Sequence, residues 1–183
     1  DLQRFCDAIL IRNDDGERET LAGAISALGS RLADKAKRDD CVVQTFAKAD
    51  APTKVHLLAA LSAFGGDTAL QATRGALAEP GEVRKAAVRS MEGWPDTAPL
   101  PDLRKVAREE KDRTIQILAL RGCIKMIGKS GLKTEEKVQA FREAMELSTR
   151  PEEKRQVLGE IGRVAHADSL KVVEPFLNDD QLK

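Results

Sequence analysis

Five short segments of this chain share one pattern. Each has a large apolar residue at its first position, another apolar side chain three residues later, and then a turn into a second apolar helix. They are Ile25-Ser26-Ala27-Leu28-Gly29, Leu61-Ser62-Ala63-Phe64-Gly65, Val88-Arg89-Ser90-Met91-Glu92, Leu120-Arg121-Gly122-Cys123-Ile124 and Leu158-Gly159-Glu160-Ile161-Gly162. Their starts at 25, 61, 88, 120 and 158 lie 36, 27, 32 and 38 residues apart. A pair of short helices cannot bury its apolar face alone, so recurring pairs must stack on one another. The variable period places insertions in the turns, which a stack tolerates.

The elements are predicted to be helices. Apolar residues make up 42% of the chain, much of it Ala and Leu, while charged residues make up 33%, aromatics only 3%, and Tyr is absent. Ala, Leu, Lys, Arg and Glu favour helix, and there are few β-branched runs to build a sheet. The clearest unit is Pro80–Pro95, PGEVRKAAVRSMEGWP. Val83, Ala87 and Met91 fall at helical spacing on one side, Arg84, Lys85 and Arg89 on the other. Pro80 suits a first helical turn, and Gly93 and Pro95 end the run.

The same reasoning gives the other helices. A first one covers Asp1–Ile11, and Asn13-Asp14-Asp15-Gly16 is a turn. A long helix is expected over Glu17–Ala36 with Leu21, Ile25, Leu28 and Leu32 inward, then Cys41–Lys48 capped by Asp39 or Asp40. Lys54–Phe64 ends at Gly65-Gly66, and Asp67 caps Leu70–Leu77. After the Pro95–Pro101 turn come Leu103–Glu110, Thr114–Ile127 capped by Asp112, and Glu135–Leu147 capped by Thr134. A capping box, Thr149-Arg150-Pro151-Glu152, opens Glu152–Val164, and Leu170–Leu177 closes the series.

At this point the chain resembles the HEAT-repeat (armadillo-like) family. Glu79-Pro80-Gly81-Glu82-Val83-Arg84-Lys85-Ala86-Ala87-Val88 resembles the family's acidic-x-x-x-Val-Arg-x-Ala-Ala opening of a first helix. The stretch from Leu61 to Leu70 is similar to its turn between paired helices, and Glu153–Gly162 is a looser match. The resemblance implies an all-α, right-handed α-α superhelix, a solenoid of about five helix pairs, running from about Glu17 to Leu177. It further implies a bacterial-type module of a larger, often secreted, protein, acting as a protein-binding scaffold. One continuous domain is expected over 1–183: a partial repeat at 1–16, repeats at about 17–50, 52–79, 80–111, 112–149 and 150–179, and the start of another at 180–183. The chain lacks an initiator Met and opens inside a helix, so a fragment of a longer protein is expected, with its compartment left open.

No catalytic set, metal site or cofactor site is expected. Gly122-Cys123-Ile124-Lys125-Met126-Ile127-Gly128-Lys129-Ser130 approaches a phosphate-binding loop, but has five residues between its glycines instead of four and closes a helix instead of opening one. Cys6 and Arg12 have the spacing of a cysteine phosphatase, without the glycines that would wrap phosphate in backbone amides. His56 and His166 stand far apart with no ligand partner at a metal-binding spacing. Cys6, Cys41 and Cys123 are odd in number and widely separated, so they read as small buried hydrophobes and not as a disulfide framework.

Charge placement carries more. Thirty basic and thirty acidic residues cancel, leaving no global attraction to nucleic acid or anionic membrane, and no apolar run approaches the ~20 residues of a membrane span. Locally, residues 104–137 hold ten Lys or Arg against five acids. Arg121, Lys125 and Lys129, at i, i+4 and i+8, are candidates for a partner-binding ridge; a merely solvated helix face is the alternative. Trp94, the only Trp, is the other candidate, as an interface anchor or as a cover over the core. The function expected is a non-catalytic protein–protein interaction scaffold, with no membrane insertion and an unidentified protein partner. The alternatives are a nucleic-acid-binding domain using the basic region 104–137, and a lyase or accessory module acting on a bound cofactor. One Trp and no Tyr leave little to stack bases on, so nucleic acid is the weaker partner class.

Overall fold

A computed structural model describes residues 1–182 as eleven α-helices with no strand among them. They are α1 (Leu2–Ile9), α2 (Asp15–Gly29), α3 (Lys35–Lys48), α4 (Ala51–Phe64), α5 (Gly66–Ala76), α6 (Glu82–Glu92), α7 (Leu100–Glu109), α8 (Arg113–Lys129), α9 (Thr134–Leu147), α10 (Pro151–Ile161) and α11 (Ala167–Val173). A 3-10 turn, Glu174–Phe176, follows α11. All five recurring segments fall on the even-numbered helices or at their C-terminal ends.

Aspartate starts many of these helices. Asp1, Asp14, Asp34, Asp50 and Asp112 each precede a helix and accept backbone N–H bonds, from Gln3, Glu17, Lys37, Thr53 and the Thr114–Ile115 pair. Each satisfies one or two of the orphan donors of a first turn, an effect of about 1 kcal/mol. The same bonds hold the Asp34 and Asp50 carboxyls below the usual range, chiefly through Lys37 N–H for Asp34 and through the Thr53 hydroxyl and N–H for Asp50.

Several boundaries differ from the sequence reading. The long helix expected over Glu17–Ala36 stops at Gly29. There the backbone lies against Phe64, and a Cβ on Gly29 would meet the ring at 2.4 Å. Ser30 Oγ then returns a bond to Ser26 C=O, the chain turns, and Asp34 caps α3 in place of Asp39 or Asp40. Asp39 is instead paired with Arg38 at 2.6 Å, and Leu32 is 43% exposed. Pro80 lies outside α6, whose cap position is Gly81 at φ 66°, ψ −134°, a backbone conformation that side chains disfavour. Lys133, not Thr134, holds the cap position of α9, and its N–H donates to Glu136. Thr149 does not close a capping box; its hydroxyl accepts from Arg113, and Arg150 precedes α10.

Two compact units make up the chain, Asp1–Asp96 and Thr97–Lys183, with their boundary in the Pro95–Pro101 turn. In the first unit α2 packs on α4 and α4 on α6, while α1 packs on α3 and α3 on α5. The two sets meet through α1–α2, α3–α4, α4–α5 and α5–α6. Ile25, Leu57, Leu58, Leu61, Val88 and Met91 from the even helices and Cys6, Ile9, Val42 and Leu70 from the odd ones form its core. Full burial of each large side chain contributes about 1.5–3 kcal/mol. Gly65 closes α4 at φ 65° against the ring of Pro95, where a Cβ would meet Cγ at 2.6 Å.

In the second unit α7 lies along α8, and α8 also contacts α9 and α10. The latter two pack on each other, and α11 packs on α9. Leu103, Ile124, Ile127, Phe141 and Ile161 are its largest buried apolar side chains. The further repeat expected over 180–183 runs to Lys183, which lies outside the described residues.

Candidate functional site

The second unit carries an open groove of about 910 Å³ beside α7 and the turn before α9. Leu100, Leu103, Val106 and Ala107 turn one side of α7 into the core, which leaves Arg104, Lys105 and Arg108 on the side away from it. These three cations line the groove with Lys133, and Leu100, Pro101 and Leu132 supply apolar surface between them. Arg104 and Arg108 stand one helical turn apart, so their side chains reach the same point. That point is Glu143 of α9: Nη2 of Arg104 donates to Glu143 Oε2 at 3.0 Å and Nη2 of Arg108 donates to the same oxygen at 2.8 Å. The groove wall also holds Glu109 and Glu136, and Glu136 is occupied in accepting the Lys133 N–H.

This arrangement grips a carboxylate. Two guanidinium groups converge on one oxygen of a side chain that is itself 28% exposed, so the bonds form at the edge of solvent, where an incoming anion can reach them. Cys123 lies below, next to the same arginines. Burial pushes its thiol up to about 12 although Arg104 and Arg108 pull the other way, so the thiol stays protonated beneath the groove.

The residues singled out from the sequence fall in different settings. Arg121 leaves α8 toward α10, where Nε and Nη2 both donate to Glu153 Oε1 at 2.9 and 2.7 Å. Glu153 is only 1% exposed, and Arg150 Nε stands 3.8 Å from its other oxygen. Lys125 and Lys129 are exposed. The ridge therefore runs along one helix as spaced, but its first member is tied to a buried carboxylate. Trp94 sits just after α6 with 6% of its surface exposed, and its buried Nε1 has no hydrogen-bond partner. It covers the first unit's core next to Gly65.

Other motifs resolve into local structure. Gly122 and Gly128 lie inside α8, so the stretch resembling a phosphate loop is helix. His56 bonds Asp15 at 2.9 Å, and His166 caps α11 by accepting the Asp168 N–H at its Nδ1. Among the described residues no three His, Cys, Asp or Glu stand close enough to hold a metal ion, and no helix is long and apolar enough to cross a membrane. Arg104 and Arg108 do not stand out in the sequence from the rest of the basic stretch 104–137, and Glu143 lies beyond it. The i, i+4 spacing of the two arginines was visible, but their common acid lies 39 and 35 residues away. No family model matches the chain, and neither a curated protein nor a solved structure does.

Proposed function

We propose that this chain is a non-catalytic interaction module built of HEAT-like helix pairs, and that the groove beside α7 receives an acidic segment of a protein partner. The solenoid reading is supported by the five recurring segments and by the side-by-side packing of α2, α4 and α6. The docking reading rests on one observation: Arg104 and Arg108 already hold a carboxylate oxygen at the edge of an open groove. Glu143 occupies the place that a partner's Asp or Glu side chain would take. Groove apolar surface from Leu100, Pro101 and Leu132 suits a peptide with carboxylates spaced by apolar residues. No aromatic side chain lines the groove, which leaves bases nothing to stack on and favours a protein over nucleic acid.

The test is fluorescence anisotropy with a labelled Glu/Leu-rich peptide of about ten residues, beside a labelled single-stranded oligonucleotide, at low and high salt. The peptide binds, and binding weakens with salt. Arg108→Ala combined with Lys105→Ala lowers affinity about 10–100-fold, the loss of one or two charge-assisted contacts. Glu143→Gln removes the internal competitor and strengthens binding. Tighter binding of the oligonucleotide, or a peptide affinity unmoved by both variants, overturns the docking reading.

A further inference from the structure

Cys6 is on α1 and Cys41 on α3, 35 residues apart in sequence. The two helices pack together, and the Cys41 thiol donates to Cys6 Sγ at 3.2 Å. A disulfide needs about 2.05 Å, so closure asks for a movement of about 1.2 Å, within reach of a side-chain rotation. The surroundings of the two sulfurs differ. Cys6 is fully buried, whereas Cys41 is half-buried and its thiol also reaches Gln3 Oε1 at 3.4 Å on the exposed side of α1. One sulfur is therefore open to a small reagent and the other waits directly behind it. Cys123, buried in the other unit, has neither feature.

We propose that Cys6 and Cys41 are a thiol–disulfide site, in which Cys41 exchanges with a small-molecule disulfide and Cys6 resolves the adduct into a staple between α1 and α3. In the first step the Cys41 sulfur, having given up its proton, attacks one sulfur of the donor R–S–S–R. A Cys41–S–S–R bond forms, the donor S–S bond breaks, and the departing thiolate takes up the proton as RSH. In the second step Cys6 Sγ attacks Cys41 Sγ, the mixed bond breaks, and the Cys6 proton leaves with the second RSH. Two protein thiols are oxidised by two electrons, and the donor is reduced to two thiols. Burial, with the Cys41 thiol alongside, pushes the Cys6 thiol up to about 12, which makes Cys6 the resolving partner and not the first to react. The bridge encloses α2 in the loop it closes, so it restricts the unfolded chain over the first three helices.

The experiment treats the folded 183-residue chain with oxidised glutathione, blocks remaining thiols with an alkylating agent, and maps peptides by mass spectrometry. Two of the three thiols disappear, a Cys6–Cys41 linked peptide appears without retained glutathione, and the melting temperature rises by on the order of 5–15 °C until dithiothreitol is added. Cys123→Ser behaves as the parent chain. Cys6→Ser, checked for helicity by circular dichroism, traps one glutathione on Cys41. Retention of glutathione on Cys41 in the parent chain, three alkylated thiols at the end, or a bridge that forms only in urea overturns the proposal. Each of those readouts comes from the unsubstituted protein, so a variant that fails to fold does not obscure the result.

Discussion

Replacing Arg121 with Met tests whether this cation belongs to the fold or to a binding ridge. Arg121 places two N–H groups, at 2.9 and 2.7 Å, on one oxygen of Glu153, which is 1% exposed. Removing one partner of a fully buried ion pair costs about 3–5 kcal/mol, because the remaining charge has lost both solvent and counterion. Two features reduce that figure here. The Arg121 side chain is 40% exposed, so water already reaches its side of the pair, and Arg150 at 3.8 Å offers partial compensation. The expected loss for Arg121→Met is therefore about 2–3 kcal/mol. Glu153→Gln keeps an acceptor in place and loses only about 1–2 kcal/mol. Arg121→Met with Glu153→Met removes both charges and lies within about 1 kcal/mol of the parent, since apolar replacement of a buried pair is often neutral. The assay is urea unfolding followed by far-UV circular dichroism, with hydrogen exchange on α8 and α10 to localise the effect; the sole Trp lies in the other unit and does not report on this pair. A loss below about 0.5 kcal/mol for Arg121→Met, or a double-mutant coupling of that size, refutes the reasoning. The result also governs binding experiments. Arg121→Glu sets a like charge against Glu153, so a loss of binding in that variant reports on the fold as well as on the ridge.

Three further outcomes follow from the geometry. Gly65→Ala loses about 3 kcal/mol in Trp94-monitored unfolding, since Gly65 combines φ 65°, ψ −163° with Pro95 Cγ at 2.6 Å from a Cβ, whereas Gly23→Ala, mid-helix with open space around it, gains about 0.5–1 kcal/mol. Asp50 is held below the usual carboxylate range by Thr53 and Arg18, so its stabilisation is complete above the ordinary value near 3.9 and is lost as pH falls through the depressed one; acid unfolding of Asp50→Asn, which keeps the cap but not the charge, is less steep below about pH 4. Asp112→Ala leaves the Thr114 and Ile115 N–H groups without their acceptor and lowers the urea midpoint by the equivalent of about 1 kcal/mol.

The helices were legible because their evidence is local. Spacing of Ile115, Ile124 and Ile127 or of Val138, Phe141 and Met145 marks a buried stripe within one element, although Leu118, read into the first of these, is only partly buried, and Asp112 announces its own cap. Boundaries set by a distant neighbour were not. Nothing near Gly29 in sequence says that Phe64 lies against it, so the stop in α2 is not legible there, and the cap is read five or six residues late, at Asp39 or Asp40. Thr149 and Glu152 have capping-box spacing, but the hydroxyl is taken by Arg113, 36 residues earlier. Cys6 and Cys41 look unrelated at a separation of 35, and only the α1–α3 packing makes them neighbours.

The same distinction separates the two charge stripes of the second unit. Arg104 and Arg108 on α7, and Arg121, Lys125 and Lys129 on α8, have identical i, i+4 spacing, and in each stripe an arginine pairs with a glutamate 32–39 residues downstream. What differs is the burial of that glutamate. Glu153 at 1% exposure has no water to return to, so releasing Arg121 leaves a buried charge with only Arg150, at 3.8 Å, to compensate it. Glu143 at 28% exposure can be resolvated, and the exchange of its carboxylate for another leaves the number of charge-assisted bonds unchanged. A stripe can receive a partner only where its present acid can be released at small cost. On that criterion the docking proposed above belongs to α7 and not to the Arg121 position at the middle of α8.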